Sequence, residues 1–184
     1  MLRQVYDLVA AELLERGLNL LAQGIDGGRT RLLRALRHES NVVVFGTSTF
    51  WEGIDVKGPQ LSCLVITRLP FPRPDEPLTA ARTERLEAAG RSAFGELSLP
   101  HAILRLKQGF GRLIRSADDR GAVVILDGRI LRRSYGRLFV HSLPRASFYQ
   151  GSRDSVVDRV AAWLEGETRP SGIRWVAPPA EGKR

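Results

Sequence analysis

Val42-Val43-Val44-Phe45-Gly46-Thr47-Ser48-Thr49-Phe50-Trp51-Glu52-Gly53-Ile54-Asp55 runs four apolar residues straight into hydroxyls, glycines and carboxylates. The run Val42–Phe45 is short, mostly β-branched and has no polar alternation, so it predicts a strand buried on both faces of a parallel sheet. Leu61–Leu69, ended by Pro70, and Val123–Leu126 read the same way, and Leu18–Ala22 is a shorter candidate. Helical spacing fills the intervals at residues 2–16, Arg29–Arg37, Leu78–Phe94, Pro100–Arg115, Ile130–Leu143 and Asp154–Glu165. Gly17 supplies a stop for the first of these helices. Pro70, Pro72, Pro74 and Pro77 exclude regular structure between two of the segments. Buried strands alternating with helices predict an α/β fold built on a parallel sheet flanked by helices. In such folds ligands gather beyond the carboxyl ends of the strands, which directs attention to the loop after Phe45 and the helix before Val123.

The chain has 184 residues, room for one domain of ordinary size, and its 43% apolar content is enough for a core. Lys and Arg number 28 against 20 Asp and Glu, a net charge of +8. That surplus suits a polyanionic partner. Only Lys57, Lys107 and Lys183 are lysines; the other basic residues are Arg, the better fork for phosphate, although a GC-rich genome gives the same skew. Nearly all of the surplus lies in residues 101–145, where ten basic residues face Asp118, Asp119 and Asp127. Cys63 is the single cysteine and His38, His101 and His141 are widely spaced, so no disulfide framework, iron–sulfur site or metal site is expected. No run of 18 apolar residues occurs and Asp7, Glu12 and Glu15 interrupt the N-terminal pattern, so neither a membrane span nor a signal peptide is expected, with the cytoplasm as default compartment.

Two segments carry chemistry. Thr47, Ser48 and Thr49 can bond phosphate oxygens, Gly53 admits close backbone approach, and Asp55 can accept from a ribose hydroxyl or hold an Arg. The same residues also suit an ordinary strand-to-helix turn with capping hydroxyls. The second segment, Gln108-Gly109-Phe110-Gly111-Arg112-Leu113-Ile114-Arg115, places two glycines in a helical pattern, each costing about 1 kcal/mol against Ala. Gln108, Arg112 and Arg115 fall on one face at spacings of four and three. Two guanidiniums and an amide converging there suit the charge of a phosphoryl transition state; a solvated basic face is the alternative. Phe50 and Trp51 are candidate base-stacking residues, with a core role as the competing reading.

Together the segments resemble a known pair. Phe50–Asp55 resembles motif V, and Gln108–Arg115 motif VI, of superfamily 2 helicases, and the Glu-Gly-Ile-Asp core with the Gln-x-x-Gly-Arg-x-Ile-Arg frame is similar to the DinG branch, related to the XPD-type iron–sulfur helicases. Leu69-Pro70-Phe71-Pro72, Gly121–Arg129 with its Asp-x-Arg ending, and Ser134-Tyr135-Gly136 resemble further segments of that family. The resemblance implies the second RecA-like domain of an ATP-dependent DNA helicase over residues 1–145, followed by a helical extension at 146–168 and a flexible tail at 169–184. It implies that Arg112 and Arg115 act as arginine fingers on ATP, with Gln108 orienting the γ-phosphate or the attacking water. Gly111 would permit close packing, and Gly53, Asp55 and Glu52 would line the nucleotide. Ser48, Thr49, Arg129, Arg132 and Arg133 would meet the backbone of single-stranded or forked DNA, with a solvated face as the alternative for Arg132 and Arg133.

ATP with Mg2+ would be held mainly by the first RecA-like domain, the implied partner. No Gly-x-x-x-x-Gly-Lys-Ser/Thr stretch and no Asp-Glu-x-His or Asp-Glu-x-Asp box occurs in these 184 residues. No iron–sulfur ligand set occurs either. The family pattern places a strand before the helix that residues 1–16 resemble, so the sheet is expected to lack its first strand and the isolated chain to be marginally stable. A basic nucleic-acid-binding module without catalysis, or a degenerate helicase paralogue, is the competing function.

Overall fold

The computed structural model describes residues 2–47, 50, 60–113, 121–143 and 147–166, and for Arg112 the backbone alone. The chain divides into two compact units, one of residues 1–62 with 112–120 and one of residues 63–111 with 121–184.

In the first unit, helix α1 (Leu2–Glu15) ends as the sequence predicts. Gly17 takes φ 74°, its N–H donates to Leu14 and that of Leu18 to Leu13. This is the left-handed glycine close of a helix, which satisfies carbonyls left over in the last turn. Strand β1 (Asn19–Ala22) pairs in parallel with β2 (Val42–Phe45), Asn19 opposite Val42 and Ala22 opposite Phe45. Helix α2 (Arg29–His38) forms the crossover and buries Leu32, Ala35 and Leu36. They pack with Leu21 and Phe50, and Leu33, Val42, Val44 and Leu61 close the rim of this core.

In the second unit, β3 (Cys63–Ile66) and β4 (Ala122–Ile125) form another parallel pair, Cys63 opposite Ala122 and Ile66 opposite Ile125. Between them lie α3 (Pro77–Ala88), a π-helical turn at Phe94–Ser98 and α4 (Leu99–Leu113). The helix expected at Leu78–Phe94 therefore stops early. Gly90 takes φ 69° and Arg91 donates back to Leu86, which closes α3. The helix expected at Ile130–Leu143 is two: α5 (Arg129–Arg132) and α6 (Gly136–Ser142). Helix α7 (Arg153–Leu164) starts at a Ser152 cap whose Oγ accepts from the Ser155 N–H. Its Trp163 indole donates to the Gly121 carbonyl at 3.0 Å, tying α7 to the start of β4. The tail expected at 169–184 lies outside the described residues.

The parallel pairs and flanking helices give an α/β architecture. Burial is shallower than the apolar runs predict: β2 is half-buried at all four positions and Val65 of β3 is 53% exposed. Among the described residues each strand pairs on one side only, so each keeps an edge that a wider sheet would cover.

Candidate functional site at the carboxyl ends of the strands

The loops singled out in the sequence leave from the carboxyl ends of the two pairs. Beyond β1 and β2, Gln23 and Thr47 meet. The Thr47 N–H and Oγ1 both reach the Gln23 Oε1, at 3.1 and 3.0 Å, while the Gln23 N–H donates to the Phe45 carbonyl at 2.9 Å. Phe50 donates its N–H back to Thr47 and sinks its ring into the α2 core, 4% exposed. The hydroxyl-rich loop is thus anchored at its root, and Phe50 fills the core role rather than that of an exposed stacking platform. Ser48, Thr49, Trp51, Glu52, Gly53 and Asp55 lie outside the described residues.

Helix α4 runs through both glycines of the second segment. Ala102, Leu106, Phe110 and Leu113 are buried, and so is Gly109. Leu104, Lys107, Gln108 and Gly111 are exposed. Gln108 and Gly111, three apart, therefore share the solvent face. Among the described residues nothing lies within 4 Å of where a Cβ on Gly111 would sit, so within them its lack of a side chain serves no packing need. The backbone of Arg112 continues the helix, and Arg115 lies outside the described residues.

The best-defined polar arrangement lies beyond β3 and β4. The Asp127 carboxylate, 8% exposed, accepts from the Leu69 N–H at 2.9 Å and the Arg129 N–H at 3.0 Å. It also receives the Arg129 guanidinium, Nη2 at 2.6 Å and Nε at 2.9 and 3.0 Å. The Arg129 side-chain hydrogen bond is the main cause that holds the Asp127 carboxyl down at about 2, with the backbone donors adding to it against the opposing effect of burial. The guanidinium also lies over the Phe71 ring, 5.3 Å from its centroid. Phe71 in turn contacts Phe94, Tyr135 and Phe139 at 5.8, 5.8 and 5.7 Å between centroids. The Pro-rich segment, the Asp-x-Arg segment and Ser134–Gly136, separate in the sequence, are thereby knit into one cluster.

This geometry ranks the arginines. Arg129 is committed to Asp127 and Phe71, with 41% of its side chain exposed. Arg132 and Arg133 are exposed, and Arg132 folds its guanidinium over Gly128. Arg68 was not singled out in the sequence. With Thr67, Asp127, Gly128 and Arg129 it lines a cavity of about 300 Å³ at this edge. The signal available was its place directly after a buried strand.

Among the described residues no group of three His, Cys, Asp or Glu is close enough to hold a metal, and no helix is long and apolar enough to cross a membrane. Burial pushes the Cys63 thiol up, away from the thiolate.

Comparison with known proteins gives a consistent result. Residues 1–146 match a family described as the helicase C-terminal domain. The chain is 43% identical over 148 residues to the 3'-5' exonuclease DinG of Bacillus subtilis, covering 80% of this chain and 16% of the relative. It is 47% identical over 129 residues to the ATP-dependent DNA helicase YoaA of Escherichia coli, covering 70% of this chain and 20% of the relative. With the ATP-dependent helicase DinG of Mycobacterium tuberculosis it shares 43% over 125 residues, 68% of this chain and 19% of the relative. The matched part thus spans a fifth or less of these relatives.

Proposed function

Because the chain belongs to the helicase C-terminal domain family and is homologous to DinG and YoaA helicases over most of its length, we propose that it is the ATP-closing half of a DNA-dependent motor. In this reading residues 1–145 form the second RecA-like domain, 146–168 an appended helical extension and 169–184 a tail. ATP with Mg2+ is held chiefly by a first RecA-like domain, and this chain completes the site. Arg112 and Arg115 offer guanidiniums to the γ-phosphate, and Gln108 orients it or the attacking water. Gly53, Asp55 and Glu52 line the nucleotide.

What supports the reading is the Gln108–Arg115 sequence frame, of which α4 carries residues 108–113, with Gln108 and Gly111 on the solvent face. An exposed, side-chain-free position beside a Gln and an Arg suits close approach of a second domain across bound nucleotide. Ser48, Thr49, Arg132 and Arg133 form part of the single-strand track. Arg129 offers it whatever Asp127 leaves unused, and Asp127 positions Arg129.

The test is Arg112→Ala in a helicase that carries this domain together with its first RecA-like domain. ATP turnover should fall by about 10³-fold or more, the range of arginine fingers in analogous enzymes, while single-strand binding stays within a few fold. Equal turnover in variant and parent would remove the finger assignment.

A further inference from the structure

Residues 1–100 carry twelve Arg or Lys and twelve Asp or Glu, a net charge of zero. That balance is not local. In ten residues α2 holds Arg29, Arg31, Arg34, Arg37 and His38, and no carboxylate. Like charges three and four apart weaken a helix, and Arg29 and Arg31 sit in the first turn, where the helix dipole disfavours cations. The two carboxylates that flank the helix in the sequence, Asp26 and Glu39, each accept from groups outside it. Glu39 accepts from the Asn19 side chain at 3.1 Å, and Asp26 accepts from the Ala22 N–H at 2.8 Å and the Tyr6 hydroxyl at 3.2 Å. Among the described residues no carboxylate pairs with Arg34.

The buried stripe Leu32, Ala35 and Leu36 fixes which way the rest of α2 faces. On the opposite side Thr30, Arg34, Arg37 and His38, at spacings of four, three and one, line a shallow cavity of about 280 Å³ with Leu33. We propose that this outer face of α2 binds the phosphate backbone of a single nucleic-acid strand. The proposal rests on the reading of the chain as part of a DNA-dependent motor and adds a contact surface to it. Arg34 and Arg37 stand about 4.5 Å apart along the axis, and Thr30 to His38 spans about 12 Å, a length that can follow a strand over a few phosphates. Guanidinium forks and a hydroxyl are donors matched to phosphate oxygens. Leu33 is the one apolar residue of the lining, whereas a bound peptide needs aromatic or apolar anchors.

The experiment measures binding of a labelled oligothymidylate to the full 184-residue chain by fluorescence anisotropy over a salt series. Arg34→Gln/Arg37→Gln should weaken binding about tenfold at low salt and flatten the slope of log affinity against log salt by about 1.4, the value for two phosphate contacts on a single strand. Arg34→Lys/Arg37→Lys should keep the parent slope. Because both positions are exposed, circular dichroism of the variants should match the parent. An unchanged slope in the Gln variant overturns the proposal, as does a parent that binds no strand. Displacement of the strand by polyglutamate at matched charge assigns the face to an acidic protein segment and overturns it too. Arg132→Gln/Arg133→Gln is the separate arm: loss of slope there alone leaves the strand track standing while the α2 surface fails.

Discussion

Asp127 shows most sharply how one residue can hold a site edge together. Its carboxylate joins the Leu69 backbone, the Arg129 backbone and the Arg129 guanidinium. Since its folded value lies near 2 and its ordinary value at 3.8, the pairing is fully present above about pH 4 and is lost as pH falls from 3.8 through 2. Screening at the half-exposed Arg129 limits the contribution to the order of 1–2 kcal/mol. Asp127→Asn should lower stability at pH 7 by about that amount and remove most of the acid sensitivity in this window. Urea melts of parent and variant at pH 7, 4 and 2.5 check it; parallel pH profiles would show that the ion pair contributes nothing. Of this cluster the sequence offered the Asp-x-Arg pattern and Leu69–Pro72 as family matches. It did not offer the bond between residues 69 and 127, because 58 positions separate the partners and only the parallel pairing of β3 with β4 brings them to one edge.

At the scale of elements, glycines mark where local pattern and packing part company. The helical spacing of Ile130–Leu143 is real, yet α5 and α6 are separate helices. A Cβ on Gly136 would stand 1.9 Å from the Ile130 carbonyl oxygen and 2.6 Å from its carbon, backbone atoms that cannot swing aside. Gly136→Ala should therefore destabilise by about 2 kcal/mol or more, as overpacking against fixed atoms does, read as a lower urea midpoint. Gly111→Ala should do the reverse. It adds a methyl group to open space on α4, where Ala is favoured over Gly by about 0.5–1 kcal/mol. If the chain destabilises instead, the solvent face assigned to Gly111 is wrong. Both glycines look alike in the sequence; the difference lies in which backbone approaches them. The ends of α1 and α7 were legible to within a residue, since Gly17 and Ser152 act on their own turns.

For the molecule as a whole, the burial pattern bears on stability. Helices α1, α3 and α7 bury no residue fully, and Leu8 and Leu14 are 80% and 72% exposed. Each parallel pair has strands of four residues, and two-stranded sheets are marginal without broad packing. The isolated chain should melt below about 50 °C, the lower part of the ordinary mesophile range, and should bind hydrophobic dyes before it melts. A sharp calorimetric transition above that temperature would count against this.

The sequence by itself determined the α/β class, the positions of the four described strands, most of the described helix ends and membership of the helicase family, because apolar runs, capping and motif spacing are local. Only the tertiary structure decided that Phe50 belongs to the core, that Arg129 is held by Asp127 and Phe71, that Arg68 faces the same edge, and that Arg34, Arg37 and His38 share an outer face of α2 whose lining holds no carboxylate. Summed charge cannot reveal such a face. Whether an arginine is paired depends on which carboxylate the fold carries to it, and that is a property of chain crossings rather than of composition.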